Sequence, residues 1–141
     1  MRSLAFVVAL LASGTAWAQV GTKAEVHYKS GVALKEQGKT EEAIAQLELA
    51  VAENPKHAMA WNSLGILYKK HGENAKAVQA FEKATELMPN DGNARSNLGM
   101  AYYRAGREDD AVRTLEAAAK LNPGAADVHA NLGRSTASAG T

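Results

Sequence analysis

The fold is decided by the stretch WNSLGILYKKHGENAKAVQAFEKATELMP, which occupies residues 61–89. Its apolar residues recur at intervals of three and four, as in Trp61, Leu64 and Tyr68, which is the period of an amphipathic helix. A second apolar pattern of the same period follows Gly72, and glycine is the usual residue where a helix ends and the chain turns. The stretch therefore predicts a helix, a tight turn and a second helix.

The same skeleton recurs along the chain at an interval of 34 residues. A proline ends each copy, one glycine follows its first helix, and another glycine lies within that helix. This fixed interval predicts helical hairpins that stack side by side. The recurring positions are Pro55, Pro89 and Pro123, then Gly38, Gly72 and Gly106, and finally Gly31, Gly65, Gly99 and Gly133.

Eight positions of the second copy match the signature of a known repeat. They are Trp61, Leu64, Gly65, Tyr68, Ala77, Phe81, Ala84 and Pro89. The pattern resembles the tetratricopeptide repeat (TPR), a helix-turn-helix unit of about 34 residues. The resemblance implies an all-α fold, a right-handed superhelical solenoid of antiparallel helix pairs whose first helices line a concave groove. The implied divisions are TPR 1 (24–57), TPR 2 (58–91), TPR 3 (92–125) and a C-terminal capping half-repeat with its tail (126–141).

Several local expectations follow from the pattern. His27 and Arg95 stand where the repeat has Trp, and each such replacement gives up about 1.5–3 kcal/mol of apolar burial. Thr40 is a predicted N-cap of the second helix. Leu87 is assigned to the apolar face of the second helix of TPR 2. In the half-repeat, the residues expected to face water are Asp127, Arg134 and Ser135.

The first eighteen residues differ from the repeats and have the features of a secretory signal peptide. Arg2 gives a positive start, residues 4–12 are an unbroken apolar run, and residues 16–18 read Ala-Trp-Ala, with small residues where a signal peptidase reads. We therefore predict cleavage before Gln19. The alternative is an uncleaved membrane anchor, but the apolar run is less than half of the ~20 residues that span a bilayer.

Composition narrows the location and the class of partner. Without Arg2 the chain carries 15 Lys and Arg against 15 Asp and Glu, a formal charge of zero that recruits neither nucleic acid nor an anionic membrane surface. Cysteine is absent, which excludes a disulfide framework, a thiol nucleophile and a lipid on an N-terminal cysteine. No Asn-x-Ser/Thr acceptor occurs either. An exported chain of this composition fits the bacterial periplasm.

The sequence offers no set of residues that resembles a metal site or a catalytic site. No two histidines have the four-residue spacing that places two ligands on one helical face, and no cysteine supplements them. We therefore predict no metal, no cofactor and no enzymatic activity. The histidines are His27, His57, His71 and His129.

Two loops and two acidic pairs are also better explained by structure. Residues 38–40 read Gly-Lys-Thr like the end of a phosphate-binding loop, but Ala33 replaces its upstream glycine and no strand precedes it. Residues 90–93 lack the repeated acids of a calcium loop and are interpreted as a turn and an N-cap. The acids at 41–42 and 109–110 fall where helices begin, a position that favours negative charge.

The functional surface is predicted to be the exposed face of the first helices. Its amides offer both donors and acceptors to the backbone of an extended peptide, and its cations favour a partner segment with some acidic character. The alternative for the cations is a merely solvated helix face. The groove candidates are Tyr28, Lys35, Asn62, Ile66, Lys69, Asn97, Met100, Tyr103, Arg104 and Arg134.

One subclass of the family clamps the C-terminal carboxylate of chaperones with two Lys, an Arg and two Asn. That clamp is absent here, so chaperone-tail binding is not expected. The corresponding positions hold Tyr28, Val32, Ser63, Asn93 and Asn97.

The leading hypothesis is an exported, non-enzymatic adaptor that binds an unidentified protein or peptide in the groove. One alternative is a self-associating scaffold of the cell envelope, because the last helix is a thin cap that could stack on a copy of itself. Another is an accessory subunit of an envelope enzyme or secretion complex. The small and apolar residues of that cap are Ala125, Ala126, Ala130, Leu132 and Ala137.

Overall fold

The computed structural model describes residues 22–140, which form seven helices and no strand. The predicted signal peptide, residues 1–18, lies outside this range. Within the described range, no helix is both long enough and apolar enough to cross a membrane. The helices are α1 (22–36), α2 (Thr40–Glu53), α3 (Ala58–His71), α4 (Asn74–Leu87), α5 (Gly92–Arg104), α6 (Glu108–Leu121) and α7 (Ala126–Ala139).

The chain divides into two compact units between His57 and Ala58. The first unit contains α1 and α2, and the second contains α3 to α7. In the second unit each helix packs on the next, and α5 also contacts both α3 and α7. Helices α3, α5 and α7 of this unit therefore lie beside one another, as they do in stacked hairpins, and the predicted all-α fold of paired helices is confirmed.

The turns inside the hairpins have the same geometry in all three copies. Gly38, Gly72 and Gly106 have φ values of 77°, 84° and 77°. In the first turn the amide N–H of Lys39 donates to the carbonyl of Leu34 at 3.0 Å, the hydrogen bond that closes a Schellman motif. The residue after each glycine then occupies the N-cap position of the next helix.

The predicted N-cap Thr40 is therefore wrong by one residue. Helix α2 begins at Thr40, and Lys39 is its N-cap, without a side-chain hydrogen bond. By contrast, Asp91 is a true N-cap of α5, because its carboxylate accepts from the N–H groups of Asn93 and Ala94. Residues 90–93 thus form the predicted turn and cap.

Close packing inside each hairpin depends on a glycine in the first helix. A Cβ built at Gly65 would lie 2.6 Å from the ring of Phe81, and one at Gly99 would lie 2.6 Å from Leu115. Both large side chains are fully buried. Leu87 departs from the prediction, since it is 36% exposed at the end of α4. Leu87, the last residue of α4, therefore lies outside the hairpin core, whereas Ala84 and Thr85 in the same turn are buried.

Two residues at the Trp position of the repeat support the turns between hairpins. A guanidinium nitrogen of Arg95 donates to the carbonyl of Pro89 at 2.9 Å, and Nε2 of His129 lies 2.8 Å from the carbonyl of Pro123. The two pairs are one repeat apart. Arg95 and His129 thus replace apolar burial with a hydrogen bond to the loop, whereas Nδ1 of His27, at the same position of the first repeat, lies 2.8 Å from Oε1 of Gln46.

Ser135 corrects the prediction for the half-repeat. Its side chain is expected to face water, but the residue is completely buried and its hydroxyl has no hydrogen-bond partner among residues 22–140. Ala101 and Leu67 occupy the same position in the two preceding first helices and are also buried. The position in the repeat therefore decides burial here, rather than the polarity of the side chain.

Ser135→Ala is expected to raise the free energy of unfolding by about 1 kcal/mol, because it removes a buried hydroxyl that pairs with nothing. Urea denaturation followed by circular dichroism measures the change. Thr136→Ala, at an exposed neighbouring position, serves as the control. A loss of stability in Ser135→Ala comparable to that of a truncated core residue would contradict the prediction.

Candidate functional site

The second unit brings together two asparagines of neighbouring first helices. Nδ2 of Asn97 on α5 donates to Oδ1 of Asn62 on α3 across 3.4 Å, and both residues are partly buried. This bond leaves the oxygen of Asn97 and the amino group of Asn62 without a partner in residues 22–140. The pair therefore offers an acceptor and a donor, the two groups that an extended peptide backbone requires.

A pair of cations lies further along the same two helices. Burial lowers the pKa of Lys69, and the positive charge of Arg104 lowers the same pKa further. No carboxylate forms a salt bridge with either cation in the part of the chain that the structure describes. The free protein therefore holds two like charges near each other, an arrangement that an anion would relieve.

The two pairs share one register. Asn62 and Asn97 are 35 residues apart, and so are Lys69 and Arg104. Because a repeat has about 34 residues, neighbouring first helices are offset by one position along this face. Between the two pairs, the same face carries the partly buried side chains of Ile66 and Met100. We call these six residues the α3/α5 face.

Tyr103 and Arg134, the other candidates of the second unit, are not joined to this face by a hydrogen bond or an ion pair within residues 22–140. Tyr103 is partly buried on α5, and Arg134 is exposed on α7. Tyr28 and Lys35 belong to the first unit. There the ring of Tyr28 lies 4.6 Å from that of His57, whose Nε2 is 3.2 Å from a carboxylate oxygen of Glu25. The role of these four candidates in binding stays a prediction.

Sequence reasoning did not find a polar cluster where α4, α5 and α6 meet. The hydroxyl of Tyr102 donates to Glu82 at 2.7 Å, and the guanidinium of Arg107 lies 4.4 Å from the ring centroid of Tyr102. Asp110 accepts ion pairs from both Arg107 and Arg113, at 2.7 and 2.6 Å. One signal in the sequence could have indicated the cluster. One repeat earlier, Glu73 and Lys76 occupy the positions of Arg107 and Asp110 with the two charges exchanged, and they also form an ion pair.

This cluster changes the acidity of Tyr102. Burial, the hydrogen bond to Glu82 and the negative charge of that carboxylate raise the pKa of Tyr102 to about 12. The neutral phenol is thereby favoured as a donor. These contacts join the second and third hairpins, so we assign the cluster a structural role.

We expect Glu82→Gln to lower the pKa of Tyr102 toward the ordinary tyrosine value of about 10. Ultraviolet titration of phenolate formation measures this pKa, and a Tyr102→Phe variant identifies the signal. Because the folded-state pKa is the higher one, the contribution to stability is complete below pH ~10 and is lost as the pH rises through about 12. An unchanged titration in Glu82→Gln would contradict the assigned hydrogen bond.

Among residues 22–140, no group of three or more His, Cys, Asp or Glu side chains is placed to hold a metal ion. The α3/α5 face is formed by side chains of successive helical hairpins. These features define a helical-repeat protein.

Two family models, both described as tetratricopeptide repeat, match residues 28–93 and 68–134. Together they cover about three quarters of the chain. The chain therefore belongs to the tetratricopeptide-repeat family. No curated protein sequence matches it significantly.

Solved structures agree with the family. The first TPR of Spaghetti (RPAP3), bound to the HSP90 peptide SRMEEVD, has a TM-score of 0.81 and 21% identity, covering 86% of this chain and 96% of that one. The second TPR domain of human RPAP3, in complex with the HSP70 peptide SGPTIEEVD, has a TM-score of 0.76 and 19% identity, covering 84% and 97%. MamA of MSR-1 has a TM-score of 0.75 and 28% identity, covering 83% and 67%. These likenesses support the TPR fold.

Proposed function

We propose that this protein is a non-enzymatic binding module that receives an extended, acidic segment of a partner protein on the α3/α5 face. The observation that carries the proposal is that Lys69 and Arg104, one repeat apart on neighbouring first helices, interact as like charges and form no salt bridge with a carboxylate in residues 22–140. Such a pair raises the free energy of the unliganded protein, and a bound carboxylate lowers it again. TPR proteins are generally non-catalytic protein-binding modules, which agrees with this assignment.

The adjacent side chains give the bound segment a direction. Asn62 and Asn97 would pair with the backbone of the segment, and Ile66 and Met100 would contact an apolar side chain. From Asn62 to Lys69 the helix rises roughly 10 Å, at about 1.5 Å per residue. About three residues of extended chain span this distance. The partner motif would therefore have an acidic residue about three positions from the residue held by the amides.

The two RPAP3 structures support this class of ligand, since their bound peptides, SRMEEVD and SGPTIEEVD, both contain consecutive acidic residues. The present chain, however, lacks the carboxylate-clamp residues at the corresponding positions. We therefore propose an internal acidic segment as the ligand, held by side-chain carboxylates rather than by a terminal carboxylate.

Selection from a library of heptapeptides on beads tests this proposal. The wild-type chain is expected to enrich peptides that contain Asp or Glu and an apolar residue. Asn62→Ala/Asn97→Ala should bind the selected peptides about tenfold less tightly, because backbone groups of the peptide lose their partners. Asn90→Ala, at an exposed turn, is the matched control. Enrichment without acidic residues, or equal binding by all three proteins, would refute the proposal.

We also propose that the protein is exported to the bacterial periplasm. The tripartite pattern of residues 1–18 and the absence of cysteine support this location. Expressed from its own start codon in a bacterium, the protein should appear in the periplasmic fraction with Gln19 as its first residue. Mass spectrometry of the intact protein measures this end. A chain that keeps residues 1–18 in the cytosolic fraction would contradict export.

A further inference from the structure

A cavity of about 390 Å³ lies between α4, α5 and α6, and it shares no residue with the α3/α5 face. Its volume falls within the range of small-molecule sites, about 300–1,000 Å³. We call it the Arg95 cavity. The residues that line it are Thr85, Glu86, Arg95, Leu98, Arg113, Thr114 and Ala117.

The Arg95 cavity lies at the position where the repeat signature has tryptophan. Arg95 stands one repeat after Trp61, and the side chain of arginine is narrower than an indole. The wall residue Thr114 is partly exposed, whereas Ala80, its equivalent one repeat earlier, is only 1% exposed. The third repeat is therefore open at a place where the second repeat is closed.

Arg95 has hydrogen-bonding capacity that the chain does not use. One nitrogen of its guanidinium donates to the carbonyl of Pro89 at 2.9 Å. Its Nε is buried and has no hydrogen-bond partner among residues 22–140. No carboxylate forms a salt bridge with Arg95 in the same part of the chain. Because a buried donor without an acceptor is costly, an anion that reaches Nε would stabilise this residue.

The other two charged residues of the cavity are already paired. Arg113 lies 2.6 Å from a carboxylate oxygen of Asp110, and Glu86 lies 3.2 Å from Nζ of Lys83. The side chains of Arg113 and Glu86 are 73% and 66% exposed, which places them at the rim. Arg95 is therefore the unbalanced charge of the cavity, and its sign calls for a negative ligand.

The remaining wall suits an apolar group. Leu98 is almost fully buried and Ala117 is partly buried, and both contribute hydrocarbon surface. The hydroxyl of Thr85 donates to carbonyl groups of its own helix, at 2.6 and 3.0 Å. The hydroxyl of Thr114 can donate to an anion beside Arg95. A matching ligand thus combines a negative head with an apolar body.

We infer that the Arg95 cavity binds a small organic acid, with its carboxylate on Arg95 and its apolar body against Leu98 and Ala117. Hydrogen bonds between a guanidinium and a carboxylate are stronger than those between neutral groups. Apolar walls with a few polar groups that orient the ligand are typical of small-molecule sites. The inference does not rest on the proposed function, because the two sites have no residue in common.

Benzoate tests the inference, because it joins a carboxylate to a small apolar ring. Nuclear magnetic resonance of the ¹⁵N-labelled full chain should show saturable shifts, with a Kd of about 1 mM for a ligand of this size. The Nε–H signal of Arg95, identified by its loss in Arg95→Gln, should be among them. Benzamide lacks the charge and acetate lacks the ring, so each should bind about tenfold less tightly or worse.

Two variants of Arg95 separate charge from space. Arg95→Gln removes the charge and should weaken benzoate binding about tenfold. Arg95→Trp restores the signature residue of the repeat and fills the cavity, so it should abolish binding without lowering the urea midpoint of unfolding. Lys56→Gln removes one positive charge at an exposed site of the first unit and should bind benzoate like wild type. Circular dichroism must show wild-type helicity in every variant.

Three results would overturn the inference. The first is the absence of saturable binding to wild type, and the second is equal affinity for benzoate and benzamide. The third is a set of shifts confined to Lys69 and Arg104, since this would place the carboxylate on the α3/α5 face. Acidic peptides selected on that face should bind Arg95→Trp as they bind wild type, so the two proposals fail separately.

Discussion

Gly65→Ala is expected to lower the free energy of unfolding by about 2 kcal/mol or more, although alanine is the better helix former. The gain in helix propensity is about 1 kcal/mol. Against it, the added Cβ would lie 2.6 to 2.8 Å from three atoms of the Phe81 ring. Phe81 is completely buried and cannot swing aside without disturbing the hairpin core, so overpacking costs about 3 kcal/mol.

The same substitution at Gly133 is the matched control for the effect of propensity alone. Gly133 occupies the same position in α7, and its added Cβ meets no atom within 4 Å, so Gly133→Ala should gain about 0.5–1 kcal/mol. Urea denaturation followed by circular dichroism compares the two variants, with midpoints reported because repeat proteins need not unfold in one step. Equal shifts of the two midpoints would show that Phe81 does not constrain position 65.

Periodicity predicted the helices well because it reports packing that recurs. The glycine that ends the first helix takes positive φ in all three turns, as the fixed interval indicates. Thr40 was nevertheless misassigned, because the Schellman hydrogen bond of Lys39 fixes where the next helix begins. That bond overrides the capping preference of the Thr40 hydroxyl. A rule based on residue type therefore fails where backbone geometry has already placed the cap.

Burial was predicted less well wherever side-chain polarity was used in place of repeat position. Ser135 is buried because Leu67 and Ala101 are buried at the same position of the preceding repeats. Leu87 is exposed because its position lies at the rim of the stack, where its equivalent Leu121 is 40% exposed. Comparison of positions one repeat apart would have corrected the assignment of Ser135, whose equivalents are apolar, because equivalent positions have equivalent neighbours. It would not have corrected Leu87, because its equivalent Leu121 is also a leucine.

The members of the α3/α5 face could be named from the sequence, but their pairing could not. Exposure of one helix face identifies Asn62, Asn97, Lys69 and Arg104 as candidates. Which of them meet depends on how far one first helix is shifted along the next. The structure shows a spacing of 35 residues in both pairs, one more than the repeat length. Tertiary packing sets this offset, and it brings Lys69 and Arg104 near enough for their charges to interact.

Reversing the charges of Lys69 and Arg104 should change the preference of the protein from acidic to basic peptides. Lys69→Glu/Arg104→Glu is expected to lower affinity for the selected acidic peptides by about a hundredfold or more, because two attractive pairs become repulsive where solvent is partly excluded. The same variant should bind forms of these peptides in which Lys replaces the acid more tightly than wild type does. Isothermal titration calorimetry measures the affinities of wild type and the variant for both forms of the peptides.

The matched control carries the same change of net charge elsewhere. Lys56 and Lys120 are exposed and form no ion pair within residues 22–140, so Lys56→Glu/Lys120→Glu should retain the preference of wild type for acidic peptides. Long-range repulsion would weaken binding in both double variants, and raising the salt concentration would remove most of that shared effect. If Lys69 and Arg104 form a local carboxylate-binding position, only Lys69→Glu/Arg104→Glu should invert the preference for acidic peptides. Similar behaviour of the two double variants would show that net charge, rather than the α3/α5 face, selects the partner.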